Sequence, residues 1–259
     1  MNKRRIFQWV AIALVLVLVF GVVWLLLMKD AQNKPQDNLE PSQTQGSQND
    51  TEKEETTTPT KPSAPTNYIS FPYHISGTPL VIEQVNSYDG IFFEDGSDRE
   101  MSNVTAIVLK NTGDECVNYL DISIERDGTQ LRFAGSALGP GDTAIVLEAN
   151  AKQFGTGKYS NCEAEIATEK EMEMSQDQVR VEDTAENDLL VTNITGKDIA
   201  CIRVFYKFYM YETDVYVGGI TYSAKLVDLA AGDSFVIRPS HYIRGYSKVV
   251  MVKTYDSDE

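Results

Sequence analysis

The feature that most constrains this chain is a set of turn signatures that occurs twice in the same order. Asn111-Thr112-Gly113 closes one apolar run, and Asn193-Ile194-Thr195-Gly196 closes another. Leu138-Gly139-Pro140-Gly141-Asp142 is answered by Leu229-Ala230-Ala231-Gly232-Asp233. Tyr159-Ser160 and Tyr246-Ser247 each open a final run. The three pairs are offset by 83, 91 and 87 residues. Ordered anchors at nearly constant spacing mark two copies of one structural unit. The offsets differ because the central hairpin of the second copy is longer and a later loop is shorter.

Between the anchors the pattern is that of strands. Val, Ile, Tyr and Phe alternate with polar residues over short runs that Gly, Asp and Asn punctuate. Strands are expected at 79–86, 103–110, 117–126, 129–134, 143–148 and 159–168. A second series is expected at 178–182, 187–193, 199–211, 214–226, 233–238 and 247–255. No long segment beyond residue 67 carries the 3.6-residue period of an amphipathic helix. About a hundred residues of antiparallel strands per copy suit an immunoglobulin-like sandwich. The expected fold is all-β: two tandem immunoglobulin-like β-sandwiches, at 68–175 and 176–259. The acidic stretch 169–177, EKEMEMSQD, reads as a solvated connector.

Ahead of the repeats, residues 6–28 read IFQWVAIALVLVLVFGVVWLLLM, with no charge. As a helix at ~1.5 Å per residue, this run is ~35 Å long and crosses a ~30 Å hydrocarbon core. Trp9 and Trp24 lie near its ends, where indole rings favour the interface. Lys3, Arg4 and Arg5 precede it, while Lys29 is offset at once by Asp30. The positive-inside rule then leaves residues 1–5 in the cytoplasm and puts the rest outside a single-pass cell-membrane anchor. A cleaved signal peptide has a shorter apolar region and a small-residue cleavage site, whereas Trp24-Leu25-Leu26-Leu27-Met28 ends this one.

Residues 29–67 form the expected stalk. Between 31 and 67 only Ala31, Leu39 and Ala64 are apolar, and Pro35, Pro41, Pro59, Pro62 and Pro65 interrupt the chain. Such a stretch does not bury enough apolar surface to offset its ordering entropy, so it reads as a disordered linker.

Charge narrows the partners. The first 28 residues hold three basic and no acidic side chains, which leaves 20 basic against 38 acidic groups beyond them, a net −18. That balance excludes nucleic acid as a partner, since binding phosphate backbones needs a basic face. It also repels anionic headgroups, so the bilayer is contacted through 6–28 alone.

The inventory for chemistry is thin. There are two His and three Cys, with no CxxC spacing, no His-x-x-x-His and no Gly-x-Ser-x-Gly elbow, so neither a metal site nor a cofactor is expected. Glu94-Asp95-Gly96-Ser97-Asp98-Arg99-Glu100 is rich in oxygens but lacks the alternation of a calcium loop, and a hairpin turn explains it equally. Cys116 and Cys162 align with Ile199 and Val249 of the other copy. They read either as buried thiols or as a disulfide inside the first sandwich.

One segment stands out from a generic sandwich. Residues 204–222 read VFYKFYMYETDVYVGGITY. Val204, Tyr206, Phe208 and Met210 share one strand face, and Phe205, Lys207, Tyr209 and Tyr211 the other. If one face covers the core, the second is still aromatic. Tyr209, Tyr211, Tyr216 and Tyr222 are then candidates for an outward recognition face, with His241 and Tyr242 in a later loop at its border. The competing reading is that these rings are core packing. Gly218-Gly219 suits a bulge or the close approach of another backbone.

Tyr206-Lys207-Phe208-Tyr209, the long hairpin and Leu229-Ala230-Ala231-Gly232-Asp233 resemble the FxLYD-type sandwich repeat. That repeat belongs to exported and membrane-anchored proteins of Gram-positive bacteria. Met210 stands where the family has Asp, and Ala231 where it has Pro. The first copy keeps Leu138-Gly139-Pro140-Gly141-Asp142 but has Ile122-Ser123-Ile124-Glu125 for the aromatic strand. The resemblance implies an immunoglobulin-like fold at the cell surface and no catalytic residue or cofactor.

Together these features point to a non-enzymatic interaction module displayed outside the membrane for an envelope protein or glycan. The alternative is the ectodomain of a membrane sensory or regulatory assembly, against which only Met1–Arg5 would remain inside. An envelope hydrolase is a third class and requires a cleft with paired carboxylates.

Overall fold

The computed structural model describes residues 68–257. The expected membrane span, cytoplasmic residues and stalk lie outside the described residues. Within them, no helix is long and apolar enough to cross a membrane.

The described chain is all-β. The first repeat holds β1 (Tyr73–His74), β2 (Leu80–Phe92), β3 (Arg99–Asn111), β4 (Cys116–Arg126), β5 (Thr129–Gly135), β6 (Thr143–Leu147) and β7 (Tyr159–Glu169). The second holds β8 (Val179–Asp183), β9 (Leu189–Asn193), β10 (Ile199–Met210), β11 (Val215–Leu229), β12 (Ser234–Ile237) and β13 (Ser247–Tyr255). Every strand expected from the alternation is present, and β2, β3 and β11 run further than the alternation alone indicates.

The repeat extends to the strand order. In the first copy β2, β3 and β6 are neighbours, and β5, β4 and β7 form a separate sheet. In the second copy β8, β9 and β12 form a sheet, and β11, β10 and β13 are neighbours. The copies therefore have the same pairing, strand for strand.

One side chain per copy explains the doubled turn signatures. Asn111 and Asn193 are both fully buried. Asn111 Nδ2 donates to the carbonyls of Glu115, Leu138 and Gly139 at 2.8, 3.0 and 3.1 Å, and its Oδ1 accepts from Gly113 N–H at 3.0 Å. Asn193 Nδ2 donates to Lys197, Leu229 and Ala230 at 2.8, 3.1 and 3.0 Å, and its Oδ1 accepts from Thr195 N–H at 2.9 Å. The Asn-Thr-Gly turn and the Leu-x-x-Gly-Asp turn are thus two halves of one knot, far apart in sequence and closed by one amide. Backbone bonds from Asn111 to Asp142 and from Asn193 to Asp233 complete each knot.

The boundary expected at 175/176 separates the repeats in sequence but not in hydrogen bonding. A seven-stranded sheet runs β1-β2-β3-β6-β11-β10-β13, taking strands from both copies. Its seam is parallel: Val215, Tyr216 and Val217 of β11 lie beside Thr143, Ala144 and Ile145 of β6. The described residues belong to one compact unit. The sheet β5-β4-β7 covers one face of the long sheet around Ile82, Ile107, Leu109, Ile122, Ile124 and Phe133. The sheet β8-β9-β12 covers the opposite face at the other end, around Leu189, Val191, Ile202, Val204 and Tyr206.

All three cysteines are free, which corrects the disulfide reading of Cys116 and Cys162. Cys116 pairs with Glu169 in the ladder between β4 and β7, so Cys162 lies seven residues further along the partner strand. At ~3.3 Å per residue that is ~23 Å, far beyond disulfide reach. Burial pushes the Cys162 thiol up to about 11.

Replacing Asn111 or Asn193 by Ala strands three carbonyls in each knot. Each variant is expected to lose about 3 kcal/mol in urea unfolding. A loss below about 1 kcal/mol would show that water replaces the amide.

Candidate functional site

The candidate residues cluster around the hairpin of β10 and β11, and the structure sorts them differently from the expectation. Both faces of this hairpin are covered. Val204, Tyr206 and Phe208 face the core of the second repeat and the seam. Tyr209 and Tyr216 face the opposite way and join the core of the first repeat, with Phe205 packed against it. Tyr209 and Tyr216 are only 5% and 3% exposed, so the outward aromatic face through these two rings is corrected to core. The physical reason is the edge of β6: an unpaired strand edge beside a small residue, Ala144, takes the hairpin and its Tyr216 ring. Tyr242 is also buried, at 4%. It meets Tyr206 edge-on at 5.4 Å and donates its hydroxyl to Asp183. Tyr211 alone of the named tyrosines is open, at 56%. Its hydroxyl donates to the Ser247 carbonyl at 2.9 Å.

The rings at the seam are closely organised. Tyr209 lies 4.8 Å from Tyr216 and 4.7 Å from Tyr211, and the Lys248 ammonium sits 4.4 Å over the Tyr209 ring. Gly219 is required by contact: a Cβ there would stand 2.0 Å from the Ala134 carbonyl oxygen. Between the Phe208–Val217 and Tyr206–Tyr222 pairs the ladder is irregular. The Gly-Gly pair is therefore both the bulge and the close backbone approach that its composition suggests.

A buried ammonium and a half-buried carboxylate lock the seam. The ammonium of Lys207, in the second repeat, donates to the Ser136 carbonyl of the first at 2.7 Å and to Gly219 at 3.1 Å. The carboxylate of Glu94, in the first repeat, accepts from Leu147 N–H at 2.9 Å and from Gly219 N–H at 2.9 and 3.1 Å. Burial holds the Lys207 amine down to about 8, against the field of Glu94 and Asp142. Burial raises the Glu94 carboxyl, while the two N–H groups and Lys207 pull it back. Each copy thus anchors its charge on the other copy's backbone.

At the rim of the seam, the structure joins three residues. His241 Nδ1 lies 2.7 Å from Asp98 Oδ2, and the Tyr222 ring stacks on the imidazole at 4.3 Å and 22°. The Tyr222 hydroxyl is 3.5 Å from Asp98 Oδ1. Tyr222 and His241, two of the named candidates, are half-buried here. The acidic run divides its work: Glu94 enters the seam, Asp95 pairs with Arg99 across the turn, and Asp98 meets His241. This arrangement ties the β2–β3 turn to the loop before β13. A general base needs a nucleophile and a bound substrate beside it. The groove of about 370 Å³ on the second repeat is lined elsewhere, by Met174, Val179, Val181, Ile194, Val249 and Val252. No group of three or more metal-ligating side chains occurs among the described residues.

The feature that sequence reasoning missed is the edge of β12. The 91-residue offset sets Ser234, Phe235 and Val236 against Thr143, Ala144 and Ile145 of β6. In β6 these positions are sealed by β11. In β12 only one edge is paired, with β9, among the described residues. Phe235 is 55% exposed and Val236 42%. The signal lay in the repeat alignment: Ala in one copy and Phe in the other, at a place that must be covered in one of them.

The chain matches no protein-family model, no curated protein and no solved structure.

Burial sets two expectations. Tyr209→Ser or Tyr216→Ser should cost about 3–5 kcal/mol in urea unfolding, as for other buried aromatic truncations, and Tyr211→Ser about 1 kcal/mol or less. Equal losses at all three positions would contradict the assignment. The second concerns pH. Between about 8 and the ordinary 10.5 of lysine, the unfolded chain binds the Lys207 proton and the folded chain does not. Stability contributed by this group therefore rises with pH over that window. The thiols of Cys116 and Cys162, raised by burial, give the opposite slope above about pH 9. The group is therefore isolated by comparison: the stability of the native chain relative to Lys207→Met should rise between pH 8 and about 10, from a deficit of about 3–5 kcal/mol in the variant at pH 7. An unchanged slope in the variant would show that another group titrates.

Proposed function

We propose that the chain is a membrane-anchored, extracytoplasmic interaction module, non-catalytic, that binds an envelope protein or glycan. The observation that carries this reading is the open edge of β12, where Phe235 and Val236 face solvent at positions sealed in the other repeat. Exposed apolar side chains on an unpaired strand edge invite a partner or aggregation, and proteins that need neither blunt such edges with charge. The seam supports the reading in a second way. It joins the repeats through one continuous sheet, and the three-stranded sheet that carries β12 packs on that sheet through the core of the second repeat.

We read each repeat as an immunoglobulin-like sandwich and the pair as a tandem of the FxLYD type. Six strands per copy pair in the same order, and the Asn-Thr-Gly and Leu-x-x-Gly-Asp signatures close the same knot in both. The apolar run 6–28 and the basic start support a module outside the membrane, N-terminus in, with the stalk between.

The test has two arms. Protease added to intact, wall-stripped cells should digest the chain beyond about Lys29. The full chain, purified in detergent and immobilised, should retain a specific component of an envelope extract. A protected C-terminus overturns the topology, and an empty eluate overturns the interaction reading.

A further inference from the structure

The first repeat shows how an edge of this type is covered. Strand β6 takes three residues of β11 in parallel, with the large Tyr216 ring set against the small Ala144. Strand β12 is the equivalent of β6 and keeps its outer edge free of any paired strand among the described residues. Resting on the interaction reading, we propose that the outer edge of β12 takes an extended strand of another polypeptide, laid parallel to β12. Its inward side chain opposite Phe235 is small, and basic residues precede it.

Each property follows from the site. Parallel direction follows from the pairing of Thr143–Ile145 with Val215–Val217. Size complementarity is inverted relative to the seam: Phe235 already supplies the ring, so the incoming strand has room for Ala, Gly or Ser there. Charge follows from the start of β12, where Asp233 immediately precedes the strand and Asp228 lies at the end of β11 just before its last residue, both exposed. At the far end Arg238 is engaged by Asp188 at 3.2 Å. A strand running parallel brings its N-terminal flank to the acidic end. Backbone pairing supplies affinity in such strand addition, and alternate side-chain contacts supply choice.

A second copy of this chain fits less well. Its strand of the right kind, Val215–Val217, is already engaged by its own β6. The equivalent hairpin of its first repeat, between Arg126 and Thr129, is too short to reach out. Each copy beyond residue 28 also carries a net −18.

The probe is a synthetic peptide copying Val215–Thr221 with Tyr216→Ala and two lysines added in front. Full-length chain in detergent micelles is exposed to about 1 mM peptide, and backbone hydrogen exchange is followed by mass spectrometry. The expected result is a slowing of about tenfold or more at residues 233–238. Phe235→Asp and Val236→Lys, both on exposed positions, should abolish it without changing the unfolding midpoint. A peptide with two glutamates in front, or one that keeps the Tyr, should protect less. No slowing, slowing that survives Phe235→Asp, or slowing only at 143–147 overturns the proposal. Protection that grows with protein concentration in the absence of peptide also overturns it and makes a second copy the occupant. Retention of an envelope component by a Phe235→Asp chain leaves the interaction reading standing and removes β12 as its site.

Discussion

The parallel contact between β6 and β11 is the constraint on which the rest of the molecule depends. Three ladder pairs join two repeats that would otherwise be separate bodies. A seam this short is held by what surrounds it rather than by its own hydrogen bonds. Tyr216 and Tyr209 extend the core of the first repeat, and Phe208 and Val217 meet Phe92, Phe93 and Leu147 on the opposite face. The Lys207 and Glu94 charges sit where they satisfy carbonyl and N–H groups that a simple apolar seam would leave buried without partners. Removing one charge leaves the other unmatched in a low-dielectric site, which is why such pairs resist loss of a single member. The seam is therefore specific: a one-residue slip would move Tyr216 off Ala144 and Gly219 off the Ala134 carbonyl.

Much of the fold was legible in the residues. Period-2 alternation located the strands, and the doubled turn signatures located the repeat. Those signatures are strong because each is half of the knot closed by Asn111 or Asn193, so local sequence carried non-local information. The long hairpin of the second copy was also visible, as an excess of residues between the same anchors. Its purpose was not. An aromatic strand with two apolar faces is compatible with an outward platform or with a second core, and only the placement of β6 decides between them. Pairing between strands seventy residues apart leaves no periodic trace, so the seam and the burial of Tyr209 and Tyr216 were beyond reach.

The candidate site was legible in a different proportion. Tyr222 and His241 do meet, ring on ring, with Asp98 as a shared partner from an acidic run that reads equally as a turn. Tyr242 is buried against Tyr206 with its hydroxyl on Asp183, instead of lying at the rim. Phe235 was hidden inside an ordinary strand pattern, since exposure at an edge depends on what fails to pair with it. Comparing the two copies position by position recovers it: where Ala144 is small because a ring must enter, Phe235 is large because none does.

The seam also sets an order of events during folding. Residues 143–145 precede by about seventy positions the residues 215–217 that cover them. For that interval the first repeat carries an unpaired edge and lacks two of its core rings, Tyr209 and Tyr216. Contacts of this sequence separation form late, after loop closure has been met by nearer pairings. Pairing of β11 with β6 is then expected to come late, and any species formed before it exposes the β6 edge to wrong strand partners.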